Sequence, residues 1–324
     1  MNQGNSSSRD EFLLLGFSIF EMRPTLLFLI FSLLYGTILA FNITIMSAIL
    51  LDQTLHMPMY FLLFALAASE TCTTLVTIPR LLVSLLSGSP SISFAGCALQ
   101  MLCFFGFSAN NCFLLVAMAY DRYVAICYPL QYRMQMNNRV CAQLATTSFT
   151  LGFLISTIIV NLVFRLPFCG PNGIRHFFCD LAPVLSLACS DTYQSNIGIL
   201  VLSAIVLLGT VTLIFLSYIY ILSAILQIHS STGRWKAFST CASHLTVVIT
   251  HFGCAFFVYL KPRSDSSLDA DTLISVVYVF LTPLFNPVIY TLRNKEVKLA
   301  IKKLQRHSFC PKHSDQKSQW HFCN

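Results

Sequence analysis

The chain has 324 residues, of which 56% are hydrophobic and only 10% are charged. Soluble domains carry about 25% charged residues, because polar side chains must cover their apolar cores. The composition therefore excludes a soluble globular enzyme and indicates a membrane protein.

Seven apolar segments are each long enough to cross a bilayer as a helix, which takes about 20 residues. The uncharged run from residue 81 to residue 120 is longer than one helix needs, and Gly88 and Pro90 divide it. Membrane-crossing β-strands would be about half as long and would alternate apolar with polar residues. The sequence therefore predicts an all-α bundle whose seven transmembrane helices lie within residues 24–51, 58–79, 96–120, 140–164, 192–228, 237–260 and 272–292.

The distribution of basic residues sets the orientation of this bundle. With the N-terminus outside, the inner segments hold 13 of the 20 Lys and Arg residues and the outer segments hold 7. Basic residues accumulate on the cytoplasmic side of membrane proteins. We therefore expect an extracellular tail at residues 1–23, a seven-helix domain at 24–292, and a cytoplasmic amphipathic helix with a tail at 293–324. The formal net charge of +7 follows from this asymmetry and requires no nucleic-acid partner.

The segment after the last apolar run has the pattern of an amphipathic helix. Val297, Ala300, Ile301 and Leu304 recur along one face of residues 294–306, and lysines occupy the other face. A helix of this kind suits the anionic inner surface of a membrane. We therefore expect it to lie on the lipid bilayer.

Four cysteines fall in predicted extracellular segments, where disulfides persist. They are Cys97, Cys169, Cys179 and Cys189, and they allow three pairings. The spacing of His176 and Cys179 is compatible with copper or zinc binding, but a disulfide at Cys179 would remove the thiolate ligand. We therefore predict no metal site.

The predicted outer tail contains a glycosylation motif. Asn5 begins the string Asn-Ser-Ser, in a setting that suits N-glycosylation. Asn42 begins a similar string, but it lies in the middle of the first predicted helix. We therefore expect modification at Asn5 only.

Five sequence motifs along the chain match those of a known family in their residues and in their order. MAYDRYVAIC (residues 118–127) ends the third predicted helix, and LHMPMYF (55–61) opens the second. Ser217-Tyr218 lies in the fifth, KAFSTCASHL (236–245) opens the sixth, and PLFNPVIYTLRN (283–294) ends the seventh. The chain thus resembles the tetrapod-type olfactory receptors, which belong to the rhodopsin-like G-protein-coupled receptors.

This resemblance implies an odorant receptor rather than an enzyme. It implies that a small, mostly neutral volatile molecule binds in the outer half of the bundle, without a cofactor. It further implies activation of a stimulatory, olfactory-type heterotrimeric G protein, a rise in cyclic AMP, and a location in the plasma membrane of olfactory cilia. The main alternative class is a transporter or channel, which would usually show internal repeats or charged lining residues.

The resemblance also favours one pairing of the extracellular cysteines. Cys97, at the start of the third helix, would bond to Cys179 and hold the second outer loop over the bundle. Cys169 would then bond to Cys189 within that loop. A bond between Cys97 and Cys189 stays open as an alternative.

By the same resemblance, the cytoplasmic ends of the helices form a two-state switch. Arg122 would pair with Asp121 in one state and meet Tyr218 and the G protein in the other. A proline within the seventh helix removes a backbone donor and permits a hinge. The residues assigned to the switch are Asp121, Arg122, Tyr218, Asn286, Pro287 and Tyr290.

Glu70 is the one carboxylate within a predicted span. Acidic residues inside a membrane are usually functional and paired with polar neighbours. We expect Asn42 and Asn286 as its partners. They would surround either a sodium ion or, with Glu70 neutral, a network of water molecules.

The ligand is expected among the outer halves of the third, fifth, sixth and seventh helices. No Asp or Glu lies between residues 96 and 120, so the third helix offers no anchor for a protonated amine. No Lys lies between residues 271 and 292, which excludes a retinal Schiff base there. The resemblance implies a mostly aromatic and aliphatic lining, consisting of Phe104, Phe105, Ser108, Ala109, Leu202, Val206, Phe252, Phe256, Tyr259 and Val276.

Overall fold

The computed structural model describes residues 11–16, 23–87, 90–169, 172–259 and 273–309. Within them lie seven helices that are long and apolar enough to cross a membrane, which confirms the predicted bundle. We number these helices as spans 1 to 7 in chain order. They are Pro24–Leu51, Pro58–Ser87, Phe94–Cys127, Asn138–Phe164, Tyr193–Leu226, Ser231–Tyr259 and Leu273–Tyr290.

Span 3 is the central helix of the bundle and packs against spans 2, 4 and 5. Of its most apolar stretch 67% is buried, against 22% for span 1. The Ser93 hydroxyl caps its first turn by accepting a hydrogen bond from the Gly96 N–H at 3.1 Å. Spans 1 and 5 instead expose large side chains such as Leu33 and Ile205, as helices facing lipid do.

The helix boundaries differ from the apolar runs in several spans, and two of the differences involve proline. Span 2 continues through Pro79 to Ser87, and a proline is tolerated there because neighbouring helices can satisfy the freed backbone groups. Span 7 contains a π-helical turn at Val277–Leu281 and then continues through Pro287 to Arg293. The π-helical turn of span 7 therefore precedes the hinge predicted at Pro287.

Three short strands form a small sheet on the extracellular face, in the order β2-β1-β3. Strand β1 (Glu11–Leu14) is antiparallel to β2 (Ser91–Ser93) and parallel to β3 (Gly173–Ile174). Gly16 follows β1, and a Cβ atom there would lie 2.3 Å from the backbone nitrogen of Phe177. Part of the N-terminal tail is therefore packed against the outer loops.

The C-terminal helix Lys295–Phe309 covers the amphipathic segment predicted at residues 294–306. Val297 and Ala300 are buried, and Lys298 and Lys302 are exposed, so the two faces have the predicted polarity. Lys303 reaches back to the loop after span 1 and forms a 2.8 Å ion pair with Asp52.

Candidate functional site: outer pocket and cytoplasmic switch

Two disulfides close the extracellular end of the bundle. One joins Cys97 to Cys179 with a Cα–Cα distance of 5.5 Å, and the other joins Cys169 to Cys189 at 5.8 Å. These are the pairs that the resemblance favours. Because Cys179 is bonded to Cys97, its sulfur is not available as the thiolate ligand of a metal.

The second outer loop packs directly on span 3. Phe178 is fully buried, and its ring lies 4.7 Å from the ring of Phe104. His176 is 3% exposed and stacks on Phe177 with ring centroids 4.7 Å apart. This loop is a packed lid over the outer half of the bundle.

Beneath the lid, a cavity of about 50 Å³ lies among spans 3 to 7. It is bordered by half of the side chains that the sequence analysis assigned to the pocket, namely Phe105, Ser108, Ala109, Val206 and Tyr259. The other half packs nearby without bordering the cavity. Those residues are Phe104, Leu202, Phe252, Phe256 and Val276.

The cavity also has lining residues that the sequence analysis missed. Ser203, Ala255 and Cys112 lie three or four positions from Val206, Tyr259 and Ser108, so helical spacing is a signal that could have found them. Span 4 was not expected to contribute, and no sequence signal points to it. The missed residues are Cys112, Ile155, Ile159, Ser203, Leu207, Ala255 and Tyr278.

The polar groups of the pocket are few and uncharged. The Ser108 hydroxyl is hydrogen-bonded to Tyr278, and Cys112 lies 3.5 Å from Nε2 of the buried His251. Among the residues that the structure describes, none that borders the pocket carries a carboxylate, an ammonium or a guanidinium group. Such a surface holds an apolar molecule by packing and offers one or two hydrogen bonds to an oxygen.

The volume of the cavity limits what it can hold without rearrangement. About 50 Å³ is room for only one or two water molecules, whereas sites for drug-sized ligands enclose about 300–1,000 Å³. A ligand larger than this must displace side chains such as Phe105 and Tyr259, whose rings are in edge contact at 5.5 Å.

Polar side chains also meet in the middle of the bundle. Asn286 donates a hydrogen bond to Glu70, as expected. Asn42 instead donates to the backbone oxygens of Ile38 and Pro283, both at 3.0 Å, so it joins spans 1 and 7 rather than binding Glu70 directly. Asn110 donates to Ser69 at 2.9 Å and links spans 2 and 3.

The carboxylate next to Arg122 also accepts a hydrogen bond from a residue outside span 3. Asp121 is buried and accepts the hydroxyl hydrogen of Tyr132 at 2.7 Å. Tyr132 belongs to a short helix in the loop after span 3, at Tyr132–Gln135. The half-buried Arg122 borders the cytoplasmic cavity described below.

Tyr218 is bonded to span 6 through the buried His244. Nδ1 of His244 lies 3.0 Å from the Tyr218 hydroxyl, and Nε2 lies 3.1 Å from the backbone oxygen of Leu115. That oxygen can only accept, so Nε2 carries a proton. The Tyr218 hydroxyl lies within hydrogen-bond distance of two acceptors on span 6, His244 Nδ1 and, at 3.3 Å, the backbone oxygen of Cys241. His244 therefore ties spans 3, 5 and 6 together.

The cytoplasmic end opens into a cavity of about 640 Å³. Tyr290, another predicted switch residue, borders it, and its hydroxyl lies 4.0 Å from the sulfur of Met118. Polar and apolar side chains from spans 2, 3, 6 and 7 meet around this cavity. They are Met59, Tyr60, Leu63, Met118, Arg122, Trp235, Ser239, Thr240, Ser243, Tyr290, Asn294 and Glu296.

A seven-helix bundle with a small apolar pocket at its outer end and a wide cavity at its cytoplasmic end defines a seven-transmembrane receptor. A family model described as olfactory receptor matches residues 31–307. Human olfactory receptor 10T2 is 50% identical over 91% of this chain and 93% of its own length. Human olfactory receptor 10K1 is 50% identical over 96% and 99%, and mouse olfactory receptor 10J5 is 50% identical over 93% and 97%. The chain belongs to the olfactory receptor family. It is therefore a multi-pass membrane receptor and not an enzyme.

Proposed function

We propose that this receptor binds small, mostly neutral volatile molecules and activates a stimulatory, olfactory-type G protein, which raises cyclic AMP. The observation that carries the ligand class is the lining of the outer cavity, whose described side chains form aromatic and aliphatic walls and include no charged group. A charged ligand would have to leave water without an opposite charge to receive it, at a high cost in free energy.

The pocket residues of this proposal fall into two groups. Phe105, Ser108, Ala109, Val206 and Tyr259 would touch the ligand directly, because they border the cavity. The remaining residues assigned from the resemblance would shape the wall behind them or make contact once the pocket expands. These are Phe104, Leu202, Phe252, Phe256 and Val276.

The cytoplasmic cavity supports the G-protein part of the proposal. It contains Arg122 and is wide enough, at about 640 Å³, for side chains of a partner helix. In the loop after span 3, three large apolar side chains are exposed, Tyr128 by 45%, Leu130 by 98% and Met134 by 73%. Several exposed apolar side chains in one loop suit contact with another protein.

The proposed switch exchanges hydrogen bonds at this end of the bundle. In the described arrangement Tyr218 is bonded to His244, and Asp121 is bonded to Tyr132. Activation would break the Tyr218 bond, move span 6 outward and free Tyr218 to meet Arg122. Asn286, Pro287 and Tyr290 would transmit the movement through span 7, and the bond from Asn286 to Glu70 would couple it to the intramembrane network that includes Asn42.

The same proposal assigns the ends of the chain. Residues 1–23 would be extracellular, residues 24–292 would form the receptor domain, and residues 293–324 would lie on the inner leaflet and in the cytoplasm. Asn5, the proposed glycosylation site, lies outside the described residues. The receptor would work in the plasma membrane of olfactory cilia.

The test is a cyclic-AMP assay of cells that express the receptor and are exposed to a chemically diverse odorant panel. We expect neutral volatile molecules to raise cyclic AMP, and Arg122→Ala to abolish the response at normal surface expression. Arg234→Ala is the matched control, because Arg234 is exposed on the cytoplasmic side but does not border the cavity. A full response from a well-expressed Arg122→Ala receptor would refute the switch assignment.

A further inference from the structure

A second cytoplasmic cavity lies apart from the outer pocket and the switch cavity. Its volume is about 570 Å³, and it is formed where spans 2 and 4 begin, between the loop after span 1 and the loop after span 3. We call this cavity the basic groove. Its lining includes His56, Met57, Tyr132, Arg133, Asn138 and Arg139.

The basic groove concentrates positive charge without a matching negative charge. Arg133 and Arg139 are both exposed, and no carboxylate is among the lining residues. Span 4 also begins here at Asn138, so the positive end of a 27-residue helix points toward the groove. An oxyanion in this position would meet two guanidinium groups, beside a helix start at which the Asn137 side chain caps the Val140 N–H at 3.0 Å.

The receptor does not supply that oxyanion from its own described residues. Each described carboxylate on the cytoplasmic side already accepts a hydrogen bond from a side chain other than Arg133 or Arg139. Asp52 accepts from Lys303 at 2.8 Å, Asp121 from Tyr132 at 2.7 Å, and Glu296 from Tyr60 at 2.6 Å.

The groove also lies where the helices leave the bilayer. Pro58 opens span 2 and Asn138 opens span 4, so the cavity is level with the inner leaflet. Its apolar neighbours are exposed: Met57 by 47% and Met134 by 73%. An anionic lipid matches this surface, because its headgroup can contact the arginines and its apolar acyl chains can contact the methionines.

We propose that the basic groove binds the phosphorylated headgroup of an anionic lipid of the inner leaflet, of the inositol-phospholipid class. Arginine forks match phosphate oxygens in pairs, and a headgroup with several phosphates can engage both Arg133 and Arg139 at once. Cytoplasmic leaflets carry such lipids and attract basic segments next to the membrane. The proposal does not depend on which odorant the receptor binds.

The groove is connected to the switch through one side chain. Tyr132 borders the groove and donates its hydroxyl hydrogen to Asp121, the neighbour of Arg122. A lipid that contacts the Tyr132–Gln135 helix therefore acts on the loop that holds Asp121. Binding of the lipid and the position of this loop are then thermodynamically linked.

The experiment measures lipid binding to the full-length receptor in nanodiscs of phosphatidylcholine. The probe is short-chain phosphatidylinositol 4,5-bisphosphate, and the bound lipid is counted by native mass spectrometry across a titration. We expect saturable binding at one site, and a loss of affinity of at least tenfold in the double variant Arg133→Gln/Arg139→Gln. The double variant Arg133→Lys/Arg139→Lys keeps the charge without the fork and should fall between the two.

A matched control removes the same number of exposed cytoplasmic charges elsewhere. Arg234→Gln/Lys298→Gln should change the affinity by less than about threefold, because neither side chain borders the groove. An equal loss in both double variants would show diffuse attraction to the basic face and overturn the proposal. Equal binding of phosphatidylserine, or of soluble inositol 1,4,5-trisphosphate, would overturn the assignment to an inositol phospholipid. A bound G protein that leaves lipid affinity unchanged supports the site, whereas one that displaces the lipid completely assigns the groove to the protein partner.

Discussion

The two ends of this receptor are built in opposite ways. At the extracellular end, two disulfides and a three-stranded sheet hold the loops over a cavity of about 50 Å³. At the cytoplasmic end lie two much larger cavities, of about 640 and 570 Å³. A small ligand is selected by close packing within a site of small volume. A protein or lipid partner instead needs room for whole side chains or a headgroup.

The contacts that hold the two ends also differ in kind. The outer end relies on covalent bonds and on buried aromatic rings, such as those of Phe104 and Phe178. The cytoplasmic end relies on single side-chain hydrogen bonds, among them those of Tyr218 with His244 and of Tyr132 with Asp121. A typical hydrogen bond contributes about 1 kcal/mol to stability, so these bonds can exchange during activation while the outer end stays closed.

The largest effect is expected from removing the disulfide between span 3 and the lid. We expect Cys97→Ser and Cys179→Ser each to remove the receptor from the cell surface, since losing a structural disulfide costs about 2–5 kcal/mol. The double variant should be no worse than either single variant, because both remove the same bond. Surface labelling measures this, and Cys72→Ser, which alters a free cysteine, is the control. Additive losses would contradict the pairing.

A large effect is also expected in the pocket. Phe105→Ala should weaken the response to a neutral odorant at least a hundredfold, since removing a packed aromatic ring costs about 3–5 kcal/mol and each tenfold corresponds to about 1.4 kcal/mol. Phe256→Ala should have a smaller effect, because Phe256 does not border the cavity.

Ser108→Ala extends this test to the polar part of the pocket. It should weaken only odorants that carry a hydrogen-bonding oxygen. Dose–response curves for matched oxygenated and hydrocarbon ligands, normalised to surface expression, measure all three variants. A protonated amine as the best agonist, unaffected by the three substitutions, would place the pocket elsewhere.

The closed outer end should also be sensitive to acid. Burial lowers the pKa of His176 from 6.5 to about 3, so the folded lid excludes a proton that the unfolded lid binds below pH 6.5. The contribution of neutral His176 is therefore complete above pH 6.5 and declines as the pH falls toward 3, by about 1.4 kcal/mol per pH unit. At pH 5 the loss is about 2 kcal/mol.

Thermal unfolding of the purified receptor at pH 7.5 and pH 5 measures this effect. His176→Phe keeps an aromatic ring between Phe177 and Phe178 but cannot be protonated. We expect the variant to lose less stability on acidification than the wild-type receptor. The same loss in both proteins would exclude His176 as the source.

The smallest effect is expected at the cytoplasmic end. His244→Phe removes the bonds to Tyr218 and Leu115, which hold span 6 against spans 3 and 5. A bond of this kind is worth about 0.5–1.5 kcal/mol, so the loss of the Tyr218 bond alone should raise basal cyclic AMP about twofold to tenfold without odorant. His251→Phe, two turns nearer the pocket, should leave basal signalling unchanged and alter the odorant response instead. Unchanged basal signalling in His244→Phe would contradict its role in holding the switch.

The features that could be predicted from the sequence are those that a single segment carries. One uncharged run is enough to predict a membrane helix, so the seven spans follow from composition and length. The spacing of Val297, Ala300 and Ile301 predicts the amphipathic C-terminal helix in the same way. The family resemblance added the cysteine pairs and five of the twelve described side chains that border the outer cavity.

Only the tertiary structure decided the features that combine distant segments. Strand β1 pairs with residues 91–93 and 173–174, and four residues hold too little periodicity to indicate this. Ile155 and Ile159 of span 4 and Tyr278 of span 7 enter the pocket through the packing of whole helices. The partners of His244 and Asp121 lie on other helices and loops. The physical reason is that hydrophobic periodicity tells which face of a helix is buried, whereas its contacts depend on the tilt and rotation of its neighbours.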